Sequence, residues 1–478
     1  MLDPTDWQAF RAQAHRALDD AFDFLQTVRE RPVWQAVPDE VKSRLQETLP
    51  QDESDFDAVY REFSELILPY ATGNIHPRFF GWVHGSGTPA GALAELLAAT
   101  MNSNVGGRDH GAVYVERQIV RWFTALYGWP ETATGILVTG TSAANLIAVL
   151  VARTKALGTA VREDGLRSSN LVGYASSATH GCVRKAFEAA GLGAAALRVL
   201  PVDPEHRCRP ASLVEAIARD RAAGYKPFLV VGNAGTVDTG AIDPLNELAD
   251  LAEGESLWFH VDGAFGATAY LSESLRPRLA GIERADSIAF DFHKWLHVPY
   301  DAGCVLIRDG DMHRATFATE GPYITRMPRG LAAGTPWFAD FGPDLSRGFR
   351  ALKVWFTLKH FGARKLAAAM ERNCEQARYL ATLVDADARF EMLAPVNLNI
   401  VCFRYRSNRL NDDALDGFND ELVVRLQESG AAVASSTTIF GRRAIRVNIT
   451  NHRSQDSDFD LLIAKLASIG DRLLDETF

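Results

Sequence analysis

No apolar run in this chain of 478 residues approaches the roughly 18 residues that a membrane-crossing helix needs. The N-terminus, MLDPTDWQAF, has no basic stretch leading into an apolar core, so no secretion signal is expected. The five cysteines, Cys182, Cys208, Cys304, Cys374 and Cys402, are scattered and form no C-x-x-C. That spacing predicts neither a disulfide framework nor a zinc site, and it fits a reducing cytosol. No basic cluster offsets the formal net charge of −10, which disfavours nucleic acid or an anionic membrane as partner. Internal repeats and low-complexity tracts are also missing. A soluble cytoplasmic protein is the expectation, with 47% hydrophobic and 23% charged residues as in ordinary globular chains.

What is present is a change of texture along the chain. Trp7, Phe10, Ala14, Leu18, Phe22, Leu25 and Val28 recur at helical spacing behind Thr5 or Asp6 as cap. An apolar stripe so close to a terminus must pack on its own body or on a partner subunit. A second helical stretch, from about Phe56 to Tyr70, precedes the loop-like ATGNIHPRFFGWVHGSGTP. From about residue 89, helical stretches alternate with short apolar runs: 135-GILVTG-140, 171-LVGYA-175, 228-FLVVGN-233, 257-LWFHVD-262 and 287-SIAFD-291. This alternation predicts an α/β fold with a largely parallel sheet, whose strand carboxyl ends are where ligands bind. Long, continuous helical texture follows over about 350–385. LNIVCFRY, RAIRVNIT and a closing amphipathic helix then read as a smaller α+β domain.

The chemistry-bearing residues fall just past those strands. Lys294 lies in 289-AFDFHKWLH-297, where Phe290, Phe292 and Trp295 are expected to shelter the amine and lower its pKa. A lysine of that kind suits Schiff-base chemistry with an aldehyde, although a lone lysine at a helix start is ordinarily a surface residue. Asp262 ends 257-LWFHVD-262, and a carboxylate there needs a partner. The cationic ring nitrogen of pyridoxal 5'-phosphate (PLP) is one candidate, a helix cap or a metal the others. Gly263 and Ala264 leave room for a flat ring. The segment 139-TGTSAANL-146 opens an apolar helix after a strand, and Thr141 and Ser142 are placed to seat a phosphate there, or simply to cap the helix. His180, in 174-YASSATHGCVRKA-186, is either structural or stacked on a cofactor ring.

Together these residues resemble the group II PLP-dependent decarboxylases, the family of aromatic-L-amino-acid decarboxylase. HVDGAFGA, the H-K-W core of DFHKWLHVPYD and LSRGFRALKVW carry the likeness, which runs from HPRFFGW to the NHR tripeptide at Asn451 and takes in the N-terminal helix. The resemblance implies a fold-type-I PLP-dependent transferase-like large domain and a homodimer with active sites at its interface. It divides the chain into an N-terminal helical segment on the partner subunit (1–85), a PLP-binding α/β domain (86–360) and a small α+β domain (361–478). Lys294 then matches the Schiff-base lysine, Asp262 the partner of the pyridine nitrogen and His180 the stacking histidine. Ala264 would line the opposite ring face, and Thr236 would lie near the ring and His180. Thr141, Ser142, Asp291 and His293 match phosphate-side positions, and Ser346 a loop offered to the phosphate from the partner subunit. Tyr323, in 319-TEGPYITRMPRGLAAG-334, matches the lid tyrosine that protonates Cα; relatives with Phe there tend to make aldehydes.

Two departures stand out. Asp291 occupies the place of an Asn in the animal enzymes, where a carboxylate would repel the phosphate unless His293 or a helix dipole offsets it. Ala143 replaces an acidic residue often found in the phosphate segment. Trp82, Val83 and His84 match the side-chain pocket, and with Phe79 and Phe80 they favour an aromatic substrate over an acidic one. The expected reaction is decarboxylation of an L-amino acid to amine and CO2. An aldehyde synthase, an aminotransferase using Arg446 as a carboxylate clamp, and a catalytically silent homologue are the alternatives. A metal enzyme using His293 and His297 at i, i+4 is a more distant one, since no acid lies between them in H-E-x-x-H fashion.

Overall fold

The computed structural model describes residues 2–166, 169–319, 321 and 325–477, and its chain divides into two compact units. One comprises Met1–Trp82, Tyr379–Leu393 and Phe403–Phe478; the other comprises Val83–Arg378 and Ala394–Cys402.

In the smaller unit, helix α1 (Trp7–Gln26) begins at Asp6, whose carboxylate accepts from the amides of Gln8 and Ala9. None of its residues is buried, so its apolar stripe is answered within the unit only by contacts such as Phe10 on Phe56. After the short α2 (Asp39–Arg44), α3 (Phe56–Glu62) runs on through wider and then tighter turns as far as Tyr70. An antiparallel sheet of strands Phe390–Met392, Ile400–Tyr405, Ser435–Ile439 and Arg442–Asn448 lies with helices Asp412–Glu428 and Asp456–Thr477. The expected α+β character is present.

The larger unit opens with α4 (Pro89–Met101) and α5 (Gly111–Leu126). Its sheet is built from β1 (Thr134–Val138), β2 (Leu171–Ser176), β3 (Leu197–Leu200), β4 (Lys226–Asn233), β5 (Trp258–Asp262), β6 (Ser287–Asp291) and β7 (Gly303–Ile307). The spatial order is β1-β7-β6-β5-β4-β2-β3, with only β7 antiparallel to its neighbours. All five expected strands form. The two others, β3 and β7, had no separate signal, because β3 is a half-exposed edge and GCVLI follows directly on the loop after Lys294. The buried helix α6 (Thr141–Leu157) lies across the face of β4 to β7. Short α7 (Val161–Asp164) and α8 (Gly181–Ala189) follow it. The stretch over 350–385, expected to be continuous, is two helices joined at Gly362, whose φ of 72° breaks the helical path.

One buried histidine makes the fold acid-sensitive. His313 is fully buried, its Nε2 bonded to Phe341 O at 2.7 Å and its Nδ1 to Thr134 Oγ1 at 2.9 Å. A carbonyl can only accept, so Nε2 carries a proton, and burial keeps a second proton off Nδ1. Burial pushes its pKa down to about 3. The unfolded chain titrates near 6.5, so this histidine's contribution is complete above that pH and is lost as pH falls toward 3. At about 1.4 kcal/mol per pH unit, the loss reaches roughly 3 kcal/mol by pH 4. His313→Gln cannot titrate, so the wild type's advantage over it in denaturant unfolding should shrink by that amount between pH 7 and 4. A constant advantage would show that the ring is not buried neutral.

Candidate active site

Strand register brings the expected residues of the larger unit to one edge. Asp262 pairs with Asn233 on β4 and with Ala289 on β6, while Asp291 lies two residues further along β6, opposite Gly303. Gly303 in turn pairs with Val138, the last residue of β1, two residues before the Gly140 that caps α6. The row Val138–Gly303–Asp291 is tightly closed. A Cβ on Gly303 would lie 2.5 Å from Gly140 Cα and 2.7 Å from Asp291 Oδ1, so only glycine fits.

Lys294 is a fifth exposed, with Nζ 2.9 Å from Asp291 Oδ2. The expected apolar lowering of its pKa does not occur. Burial works against the ammonium, but Asp291, by charge and hydrogen bond, and then Asp262 outweigh it and hold the amine above its ordinary value. The reason is strand alternation: Phe290 and Phe292 flank Asp291 in sequence and point away from it. Their rings pack on each other and on Phe123 of α5. Trp295 lies against Phe265 and donates to Asn373 Oδ1 at 3.0 Å.

His293 is buried, its Nδ1 accepting from the Ala302 amide at 3.1 Å. The neutral ring therefore carries its proton on Nε2, 3.7 Å from Asp291 Oδ2. Burial, with Lys294 assisting, keeps its pKa low in spite of Asp291. The segment bearing His293 and His297 is a turn, not a helix. His293 stacks on Tyr300, with ring centroids 4.2 Å apart, and His297 lies 3.3 Å from Ser86 Oγ. The i, i+4 metal geometry therefore does not form.

Asp262 is buried at the end of β5. Its Oδ1 accepts from the Ala264 amide at 3.2 Å and its Oδ2 from Asn145 Nδ2 at 3.0 Å. Behind Asn145 runs a polar chain with one direction. Trp258 Nε1 donates to Ser287 Oγ (2.7 Å), whose hydroxyl donates to His260 Nδ1 (2.8 Å). His260 Nε2 donates to Asn145 Oδ1 (2.8 Å), which leaves the Asn145 amide for the carboxylate. An indole can only donate and burial pushes His260 down to about 4, so every proton in the chain is placed. Sequence reasoning missed Asn145 and His260. Two signals were available: a polar residue one turn into an apolar helix, and a histidine two residues before Asp262, on the same strand face. Burial still pushes the Asp262 carboxyl up; Asn145, Lys294 and His180 pull it back only in part.

His180 caps α8 with Nδ1 accepting from the Cys182 amide at 3.2 Å, and its side chain is exposed. Thr236 is buried, its Oγ1 accepting from the Ala241 amide at 3.0 Å and lying 3.1 Å from Thr239 Oγ1. Ala264 is half-buried and Ser142 is exposed at the start of α6. Ser346 is exposed, next to the buried Arg347 that bonds Glu116 at 2.5 Å. Val83 and His84 are half-buried, and His84 lies edge-on to Tyr300 with its pKa lowered by burial and by Lys294 and His293. In the smaller unit Trp82 is exposed, and its carbonyl accepts from Arg446 Nη1 at 2.9 Å. Tyr323 lies outside the described residues.

Whether the larger unit can hold PLP is tested by its unmet polar atoms. Thr141 Oγ1 and Asp291 Oδ1 are buried without a partner beside the start of α6, which has no side-chain cap. Helix amides and an idle hydroxyl make a phosphate seat. A carboxylate raised by burial, Asp262, calls for a cation such as a ring nitrogen, and the Lys294 amine is coupled to it and bonded to Asp291. The residues fit the cofactor, and with the mostly parallel sheet they define a fold-type-I PLP-dependent enzyme.

The pyridoxal-dependent decarboxylase conserved domain matches residues 38–406, and the chain belongs to that family. An aromatic-L-amino-acid decarboxylase of Bacillus atrophaeus is 32% identical over 98% of this chain and 96% of its own length. A phenylacetaldehyde synthase of Arabidopsis thaliana is 30% identical over 94% and 93%. Among solved structures, Oryza sativa TDC with PLP and tryptamine superposes with a TM-score of 0.90 at 26% identity, covering 99% of this chain and all of the other.

Proposed function

We propose that this decarboxylase acts on an aromatic L-amino acid and releases the amine and CO2. The observation that carries the reading is that Lys294, 2.9 Å from Asp291, is electrostatically coupled to the buried Asp262, while Thr141 Oγ1 and Asp291 Oδ1 are unmet. When bound, PLP supplies a sink for the electron pair left by the departing carboxylate. Lys294 would hold the cofactor through its aldehyde. Asp262, oriented by Asn145, keeps the ring nitrogen protonated. His180 and Ala264 would flank the cofactor ring. With Thr236, His180 would orient the substrate carboxylate. Thr141, Ser142 and His293 take the phosphate, joined by Asp291 in the manner argued below. Tyr323 returns a proton to Cα.

Trp82, Val83 and His84 supply the side-chain pocket, and the relatives named for aromatic substrates support that choice. Arg446 is turned to the Trp82 carbonyl, which weighs against its use as an aminotransferase clamp. The enzyme works as a cytoplasmic homodimer in this reading. Leu93, Leu96, Leu97 and Met101 form one exposed stripe of α4, and Trp7 and Val59 are exposed in the smaller unit. Such rows are stable in water when a second copy covers them, and Ser346 would then be offered to that copy's phosphate. Among the described residues no helix is long and apolar enough to cross a membrane.

A panel of L-amino acids assayed for CO2, amine, aldehyde and peroxide tests this. Aromatic substrates should give CO2 and amine in equal amounts with little peroxide. Tyr323→Phe should slow amine formation by about 10²-fold or more and shift the product toward aldehyde. Turnover confined to acidic amino acids would overturn the substrate choice, and an unchanged product ratio in Tyr323→Phe would overturn the role of that tyrosine. The phenylacetaldehyde synthase relative makes aldehyde the second reading.

A further inference from the structure

Asp291 is the least accommodated charge of the site. Its side chain is 2% exposed; Oδ2 is 2.9 Å from Lys294 Nζ, and Oδ1 is buried without a partner. A Cβ built on Gly140, at the N-cap of α6, would lie 3.7 Å from that same Oδ1. The carboxylate therefore lies beneath the helix end assigned above to the cofactor phosphate, and the inference rests on that assignment. In the cofactor-free chain Lys294 balances it. Capture of the aldehyde commits Nζ to a carbon and brings a second anion close.

Two like charges brought together in a buried site repel, and a dianion repels more strongly. A proton on the carboxyl removes that repulsion and turns an acceptor into a donor. The other groups facing Asp291 do not remove the conflict. Burial keeps the His293 ring's pKa low, the Cys304 thiol on β7 is pushed well up, and the Tyr300 phenol is raised. His84 and Asp262 are coupled to Lys294, not to Asp291, among the causes of their shifts.

We propose that Asp291 is a proton-linked gate for the cofactor: the carboxylate that neutralises Lys294 gains a proton as the phosphate arrives, and its hydroxyl then donates to the phosphate. The proton comes from the Lys294 ammonium or from solvent. Lys294 must shed one before its lone pair can form the C–N bond, with the aldehyde oxygen leaving as water. By either route the loaded protein holds one proton more at position 291 than a variant without the carboxyl.

The test is calorimetric titration of cofactor-free wild type and Asp291→Asn with PLP, in two buffers of different ionisation enthalpy, from pH 6.5 to 8.5. The wild type should take up about one more proton than the variant, and the ratio of their Kd values should rise about tenfold per pH unit. Asp291→Ser, equally uncharged, should match Asp291→Asn and replaces it if that chain does not fold. Equal proton counts, or parallel plots of Kd against pH, overturn the gate alone. Failure of the wild type to bind PLP overturns the cofactor site and the gate together.

Discussion

Lys294→Ala releases no measurable CO2 from any L-amino acid, and with PLP added it shows no absorption band of lysine-bound cofactor. Loss of a covalent group of this kind costs on the order of 10⁴-fold or more, because no neighbour can replace its bond. The substitution also has a structural consequence. Nζ lies 2.9 Å from Asp291, and without it a carboxylate that is 2% exposed has no cation. Breaking a buried pair from one side costs about 3 kcal/mol or more, so cofactor-free Lys294→Ala should unfold at lower denaturant than wild type. Adding Asp291→Asn removes the stranded charge. The double variant should recover most of the stability and none of the turnover, a non-additivity expected of groups in contact. An intact band in Lys294→Ala would remove the lysine from the chemistry. A double variant no more stable than the single would show that Asp291 does not depend on Lys294.

Much of this site was legible in the sequence because each element is a strand followed at once by its functional residue. The apolar runs before Gly140, His180, Asp262 and Asp291 are short enough to be strands, and a largely parallel sheet aligns their carboxyl ends. Strand order was not legible. β7 follows β6 in the chain but lies between β6 and β1, and no periodicity encodes that neighbour relation. Its placement is what brings Gly303 beneath Gly140 and against Asp291. Side-chain direction is legible only once the strand's end is known. Nearness in sequence suggests three aromatics around Lys294, whereas the pleat sends Phe290 and Phe292 to Phe123 and leaves Asp291 as the amine's neighbour. The polar chain behind Asp262 joins α6, β5 and β6 across more than a hundred residues of sequence, so only its members' polarity could be seen beforehand.

Asp262→Asn should separate two effects of one carboxyl, on chemistry and on stability. With the cofactor present, turnover falls by about 10³-fold, roughly 4 kcal/mol, because a neutral amide cannot hold the ring nitrogen protonated while charge develops there. Without the cofactor the change runs the other way. Burial raises the Asp262 pKa, so the folded chain resists the charged form more than the unfolded chain does. The sign follows from that: its contribution is complete below the unfolded pKa near 3.9 and is lost as pH rises through the folded value. The cofactor-free wild type therefore carries an unrelieved penalty at neutral pH, which Asn, being uncharged, does not. Cofactor-free Asp262→Asn should melt at or above wild type at pH 7, with a smaller difference at pH 4. A bound cation relieves the same penalty, so PLP should raise the melting temperature of the wild type more than that of the variant. Melting curves of both proteins, with and without PLP at the two pH values, measure all of this. A variant that melts lower without cofactor and gains as much from PLP as the wild type would mean that Asp262 is a structural acceptor for Asn145 and Ala264, and some other group serves the ring nitrogen.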